Sequence, residues 1–155
     1  MKKNDICYVP KYTIKGIKDE LKKRHIEFVE VDTLLEQGKS RYRRGKWTEF
    51  ENSLSTKGIG WFAYIKFFVD PDSDFDDENI WAIVAGKTGS NKDKVNKHSD
   101  VRFMEYPKKG PAKKWIFINK KKLYHPKIIV IPAETEKKAL DVEKSLVKWF
   151  GLLES

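Results

Sequence analysis

Cysteine is almost absent: Cys7 stands alone in 155 residues, so neither a disulfide framework nor a cysteine-based zinc site is available. Long apolar runs are missing too. No window approaches the length that crosses a bilayer, and the two lysines after Met1 are not followed by the apolar stretch of a leader. We therefore expect a soluble, cytoplasmic protein. His25 has no second histidine at ligand spacing nearby, which leaves it a structural or solvated role. Two familiar loops are incomplete. The acids from Asp70 to Glu78 alternate as at the opening of a calcium loop, but Phe75 stands where the turn glycine belongs and Trp81 where the closing glutamate belongs. Gly86-Lys87-Thr88 would end a Walker loop, yet Trp81 occupies the position of its first glycine. Calcium-sensor and nucleotide-hydrolase readings are set aside.

What the chain does have is positive charge. Thirty-two Lys and Arg against 23 Asp and Glu give a formal net charge of +9, which favours a polyanionic partner, nucleic acid first. The length suits one domain able to bury its own core. Along the chain, Ile6–Val9 is extended up to Pro10. Thr13 caps a helix with Ile14, Ile17 and Leu21 on one face, ending near His25. Ile26–Val31 reads as a strand and Asp32–Glu36 as a short helical turn. The segment Lys39–Trp47 is the densest mixture of arginine and aromatic, and reads as a basic loop. Arg41, Arg43, Arg44 and Lys46 in it can fork onto or face phosphates. Thr48–Leu54 reads as a short helix.

From Gly58 the texture changes. Gly58–Val69 and Ile80–Ala85 are aromatic and β-branched runs that read as an antiparallel hairpin, with Gly86-Lys87-Thr88-Gly89 as a glycine turn leaving its second strand. Arg102 has apolar neighbours and needs an acid or an anionic ligand. A flexible basic loop carries Lys113 and Lys114. Trp115–Ile118 and Ile128–Ile131 read as strands. Last comes a helix from about Thr135 to Phe150, whose apolar face holds Ala139, Leu140, Val142, Leu146, Val147 and Phe150. Glu143 projects from that same face. A carboxylate there costs several kcal/mol or more unless paired, protonated or bound to a metal. It meets a cation from elsewhere, sits where the apolar face runs out, or serves as a metal ligand.

This order of parts resembles the GIY-YIG nucleases over about Gly58 to Phe150. Gly60-Trp61-Phe62-Ala63-Tyr64-Ile65 stands for the first signature, Val84-Ala85-Gly86 for the second, Arg102 for the arginine and Glu143 for the glutamate that holds the metal. The family's signatures each supply a tyrosine; here Phe62, or Gly60 under another register, stands at the first of those places, with Tyr64 the nearest phenol, and Val84 stands at the second. The resemblance therefore implies that Tyr64 or Lys87 takes over water activation. A tyrosine has a pKa of about 10, so Tyr64 needs Lys87 or Arg102 close by. The expected fold is α+β, a small, mainly antiparallel sheet with flanking helices and a GIY-YIG-like core. Residues 1–155 form one domain in this reading, with 1–57 a recognition extension and 58–155 the catalytic core. The implied activity is magnesium-dependent hydrolysis of DNA phosphodiester bonds by a restriction-type endonuclease. Tyr64, Lys87, Arg102 and Glu143 form its catalytic set, Glu143 its Mg2+ ligand, and the named Arg and Lys residues its nucleic-acid contacts. The partner is DNA, or else RNA, with a second copy of the chain as a further candidate. The competing reading is a noncatalytic nucleic-acid-binding module.

Overall fold

The computed structural model describes residues 9–36, 39–42, 61–68, 76–89 and 127–154. In chain order these form α1 (Ile14–Lys23), β1 (Val29–Glu36), β2 (Lys39–Tyr42), β3 (Trp61–Phe68), β4 (Trp81–Gly89), β5 (Lys127–Ala133), α2 (Glu136–Phe150) and β6 (Leu153–Glu154). The described strands form one six-stranded sheet in the order β2-β1-β5-β3-β4-β6. Every pairing is antiparallel except β4 with β6, which is parallel. The α+β expectation holds, with a mixed sheet.

Both helices begin and end on local chemistry. Thr13 has extended geometry and its hydroxyl accepts from the Gly16 amide at 3.2 Å. Thr135 does the same for Lys138 at 3.1 Å. Such caps satisfy amides that no helical carbonyl can reach. At the other end of α1, His25 takes φ 57°, its amide donates to the Lys22 carbonyl, and the Ile26 amide donates to Leu21. That pair of hydrogen bonds is a Schellman stop, here with histidine where glycine is usual. Helix α2 stops the same way at Gly151 (φ 60°), with the Leu152 amide donating to Val147 at 3.2 Å.

Apolar periodicity decides how the layers meet. Ile14, Ile17 and Leu21 of α1, and Ala139, Leu146 and Phe150 of α2, are buried. All but Ala139 join Ala63, Ile65 and Phe67 of β3, Ala82 and Ala85 of β4, and Ile129 and Ile131 of β5 in one core cluster. Each such large side chain is worth about 1.5–3 kcal/mol of burial. Tyr12 packs edge-on against Phe150, ring centroids 5.1 Å apart, which fixes the C-terminal end of α2 near the start of α1.

The sheet departs from the sequence expectation in three places. Asp32–Glu36 is not a helical turn: it continues β1, because Thr33 to Glu36 pair with Tyr42 to Lys39 in a hairpin. Lys39–Tyr42 is accordingly a strand and not a loop. Gly86 and Lys87 do not leave β4; they lie inside it, opposite Tyr64 and Ala63. Cross-strand hydrogen bonds outweighed local propensity in each case. The register of β3 on β4 shifts between Lys66 and Phe67, leaving Ile83 as the extra residue of a bulge. The expected elements at Ile6–Tyr8, Thr48–Leu54 and Trp115–Ile118 lie outside the described residues.

Helix α1 is fastened to the sheet by its polar side as well. The Ile14 and Lys15 amides donate to the carbonyls of Ile80 and Asp77 at 2.9 and 3.0 Å. The Lys18 ammonium then reaches Asp77 at 2.7 Å and Glu30 of β1 at 3.2 Å. Partial burial alone would lower the Lys18 pKa; the hydrogen bonds and charges of Asp77 and Glu30 outweigh it and raise the group above the ordinary lysine value of 10.5. Because the folded value is the higher one, this contribution is complete below the unfolded pKa and is lost as pH rises through the folded one. Replacing Lys18 with Met should lower unfolding stability by about 1–3 kcal/mol at neutral pH. The gap between variant and wild type in urea melts should close as pH is raised beyond the lysine range.

Candidate functional site

Directly opposed residues in an antiparallel pair point to the same side of the sheet, and neighbours along a strand to opposite sides. Ala63 is opposite Lys87 and Ile131, and Ile65 opposite Ala85 and Ile129. Since Ala63, Ile65, Ile129 and Ile131 share the core cluster with α1 and α2, this is the helix side. Lys87 therefore stands on the helix side. It is half-buried, with its ammonium 5.6 Å from the ring centroid of Trp61, two residues before Ala63 on the same side.

Tyr64 has the other parity. It lies opposite Gly86 and Val130, on the reverse side of the sheet, and is 1 % exposed. The structure does not bring Tyr64 and Lys87 together, so Lys87 is not the cation that would lower the tyrosine pKa. A cation does approach that ring. Lys66, two residues along, places its Nζ 5.3 Å from the Tyr64 centroid.

Lys66 went unnoticed in the sequence reading. It is 2 % exposed, a charged side chain between Ile65 and Phe67 in a strand whose residues 62–67 are all buried. A lone lysine in an aromatic run was the available signal. Lys66 has a further interaction besides the tyrosine ring, in keeping with the cost of burying a charged side chain without partners.

Glu143 is eight residues into α2. Four residues from Ala139, three from Leu146 and seven from Phe150, it falls within the buried stripe of the helix and is itself half-buried. Leu140, Val142 and Val147 are half-buried along the margins. Because α2 packs on the helix side, Glu143 and Lys87 occupy one side of the sheet and Tyr64 the other. Glu143 is not without a partner.

Arg41 lies in β2, paired with Leu34. Arg43, Arg44, Lys46, Arg102, Lys113 and Lys114 lie outside the described residues. Among the described residues no three His, Cys, Asp or Glu side chains converge on one point. From these residues a divalent ion at Glu143 would take one carboxylate, which suits magnesium because it keeps several waters and accepts substrate phosphate oxygens. Among the described residues no helix is long and apolar enough to cross a membrane.

Comparison with protein-family models, with curated proteins and with solved structures yields no match. The functional reading rests on the residues themselves.

Lys66→Met keeps most of the volume but removes a desolvated charge from the Tyr64 ring and leaves its other partners uncompensated. It should cost about 2–4 kcal/mol, read as a lower midpoint in guanidinium at unchanged slope. A variant as stable as wild type would mean that the ammonium contributes nothing to the reverse side of the sheet.

Proposed function

We propose that the chain is a magnesium-dependent DNA endonuclease of GIY-YIG type. The observation that carries this reading is the position of Glu143, a carboxylate within the buried stripe of α2, on the same side of the sheet as Lys87. The sheet centre supports it. The aromatic-rich strand β3 lies between β4, which carries Val84-Ala85-Gly86, and β5, which leads directly into α2. The formal charge of +9 suits a phosphodiester substrate.

Roles follow from chemistry and side. Glu143 would hold Mg2+ through a carboxylate oxygen, and the ion when bound supplies Lewis-acid polarisation of the phosphate and of a water. Lys87, at the Trp61 end of the hairpin, offers an ammonium to the charge that grows on the phosphate oxygens. Its positive charge would also favour hydroxide over neutral water close by, the proton being lost to bulk solvent. Arg102 keeps the role that the resemblance implies, a guanidinium fork on the scissile phosphate. Tyr64 has no part in this version of the mechanism, because a base sealed on the reverse side cannot reach a water on the helix side.

A second reading keeps the nucleic acid and drops the chemistry. Glu143 is not without a partner, and a half-buried carboxylate with a partner equally suits a structural ion pair in a noncatalytic binding module. Glu143→Gln separates the two. A ligand role predicts a folded protein that binds DNA at least as tightly, melts within a few degrees of wild type, and cuts plasmid at least about a hundredfold more slowly in magnesium. A structural pair predicts a loss of about 3–5 kcal/mol of stability. Wild-type protein that never cuts in magnesium or manganese would leave the binding module in its place.

A further inference from the structure

Both sides of the sheet centre are closed to solvent, yet among the described residues only one of them carries a second layer. Helices α1 and α2 cover the side that holds Ala63, Ile65, Ile129 and Ile131. On the reverse side Phe62, Tyr64, Lys66, Val84, Ile128 and Val130 are each no more than 2 % exposed, and none of them belongs to the cluster that the helices join. Phe62, Tyr64 and Lys66 all have interactions besides the contact of Lys66 with the Tyr64 ring. Exposure returns at the margins of this side. Val29 of β1, opposite Val130, is 36 % exposed, and Trp81 at the start of β4 is 41 % exposed. The hidden area is therefore centred on β3, with β4 and β5 beside it.

Strand directions say which stretch of chain can close it. Both β4 and β5 are antiparallel to β3, which lies between them, and β6 is parallel to β4. Strands β4, β5 and β6 therefore run the same way. The chain leaves β4 at Gly89, opposite Trp61, and enters β5 at Lys127, beyond the residue opposite Lys66. Residues 90–126 thus have to return along the sheet and pass β3, which makes them a parallel crossover, and they exceed the roughly dozen residues that such a connection needs. Handedness then selects the side. The path from β5 through α2 to β6 crosses the sheet in one direction on the helix side, and the path from β4 to β5 crosses it in the other direction. Parallel crossovers are right-handed in about 98 % of cases. Two crossovers of one hand that move in opposite directions lie on opposite sides of a sheet, so residues 90–126 fall on the reverse side. Residues 43–60 join β2 to β3, which run in opposite directions, and no such rule places them.

We infer that residues 90–126 dock on the reverse side of the sheet and close it over Tyr64 and Lys66. Composition agrees with topology. Trp115-Ile116-Phe117-Ile118 is an uncharged apolar run, suited to a face made of Phe, Tyr, Val and Ile side chains, where each Å2 withdrawn from water is worth about 25 cal/mol. Asp93, Asp100 and Glu105 bring carboxylates in the same stretch, the chemistry that an enclosed ammonium such as Lys66 calls for. Tyr64 and Lys66 then serve to hold two layers together, out of reach of a dissolved substrate. The inference does not rest on the nuclease reading. Arg102 falls within the crossover, which leaves β4 two residues beyond Lys87, so the fork proposed for it would meet the phosphate at that end of the sheet.

Nuclear Overhauser spectra of the wild-type protein, labelled at its Ile, Leu and Val methyl groups, test this without any substitution, because cross-peaks arise only between groups in near contact. The methyls of Val84, Ile128 and Val130 should show cross-peaks to at least one of Val101, Ile116, Ile118 and Leu123, while Ile65 and Ile129 show them to Leu146 as the control for the helix side. Cross-peaks from the reverse side to Leu54 or Ile59, with none to residues 90–126, would give the layer to residues 43–60 and overturn the inference. Cross-peaks from Ile116 and Ile118 to Leu146 would place the crossover on the helix side and overturn it too. So would cross-peaks seen only in a mixture of differently labelled copies, which would assign the cover to a second molecule. A second measurement uses ring currents. In at least one of the variants Trp115→Leu and Phe117→Leu, the methyl resonances of Val84, Ile128 or Val130 should shift several times more than those of Ile65 and Ile129, and the reverse ranking in both variants overturns the inference.

Discussion

The pairing register of β3 on β4 is the constraint on which the rest of this structure depends. Side chains alternate along a strand, so a slip of one residue would send Tyr64 and Lys66 to the helix side and expel Ala63, Ile65 and Phe67 from the core. Strand β5 guards against that slip from the other side: Ile65 sits between Ala85 and Ile129, and Tyr64 between Gly86 and Val130. Both neighbours must agree for either to form. Gly86 opposite Tyr64 also removes a side chain where the tyrosine ring needs room. The bulge at Ile83 takes up the one mismatch, and a bulge of this kind pins register as well as adding twist.

Charge is distributed on the same plan. The two cations that touch the hairpin from within each meet an aromatic face, Lys87 on Trp61 and Lys66 on Tyr64. The cation that ties α1 to the sheet meets two carboxylates, Glu30 and Asp77. Burial and partner strength rise together. Lys66, almost fully enclosed, is engaged by more than one group, whereas Lys15 and Lys138, largely exposed, make only pairs with acids four residues away, which are worth little.

Sequence reading succeeded where the signal is local. Thr13 and Thr135 as caps, the Ile14-Ile17-Leu21 stripe, the hairpin from two apolar runs and the inward placement of Glu143 depend on residues within a turn or two of one another. It failed where partners are distant. Leu34 and Leu35 look helical until β2 is found beside them, and Gly86 looks like a turn until Tyr64 is found opposite. The division of Tyr64 from Lys87 is the clearest example. Each was a sensible candidate as a residue type, but which side of a sheet a residue faces follows from its partners across strands. The Arg24 guanidinium, stacked over Trp149 with Cζ 4.2 Å from the ring centroid, joins residues from opposite ends of the chain and had no local trace.

Strand β4 is finished by segments remote in sequence. Its outer edge bridges Thr13 at Trp81, with the Ala82 amide donating to Tyr12, and pairs with β6 at Val84 and Ala85. The chain on either side of α1 and α2 thus supplies the last ladder for Trp81-Ala82-Ile83-Val84-Ala85. That five-residue stretch is uncharged and β-prone, the composition that zips onto a copy of itself when left open. During refolding the hairpin can form early from nearby residues, while its covering segments arrive late across long loops. The interval between those events is a window for self-association, and its consequence is a yield of native protein that falls as chain concentration rises.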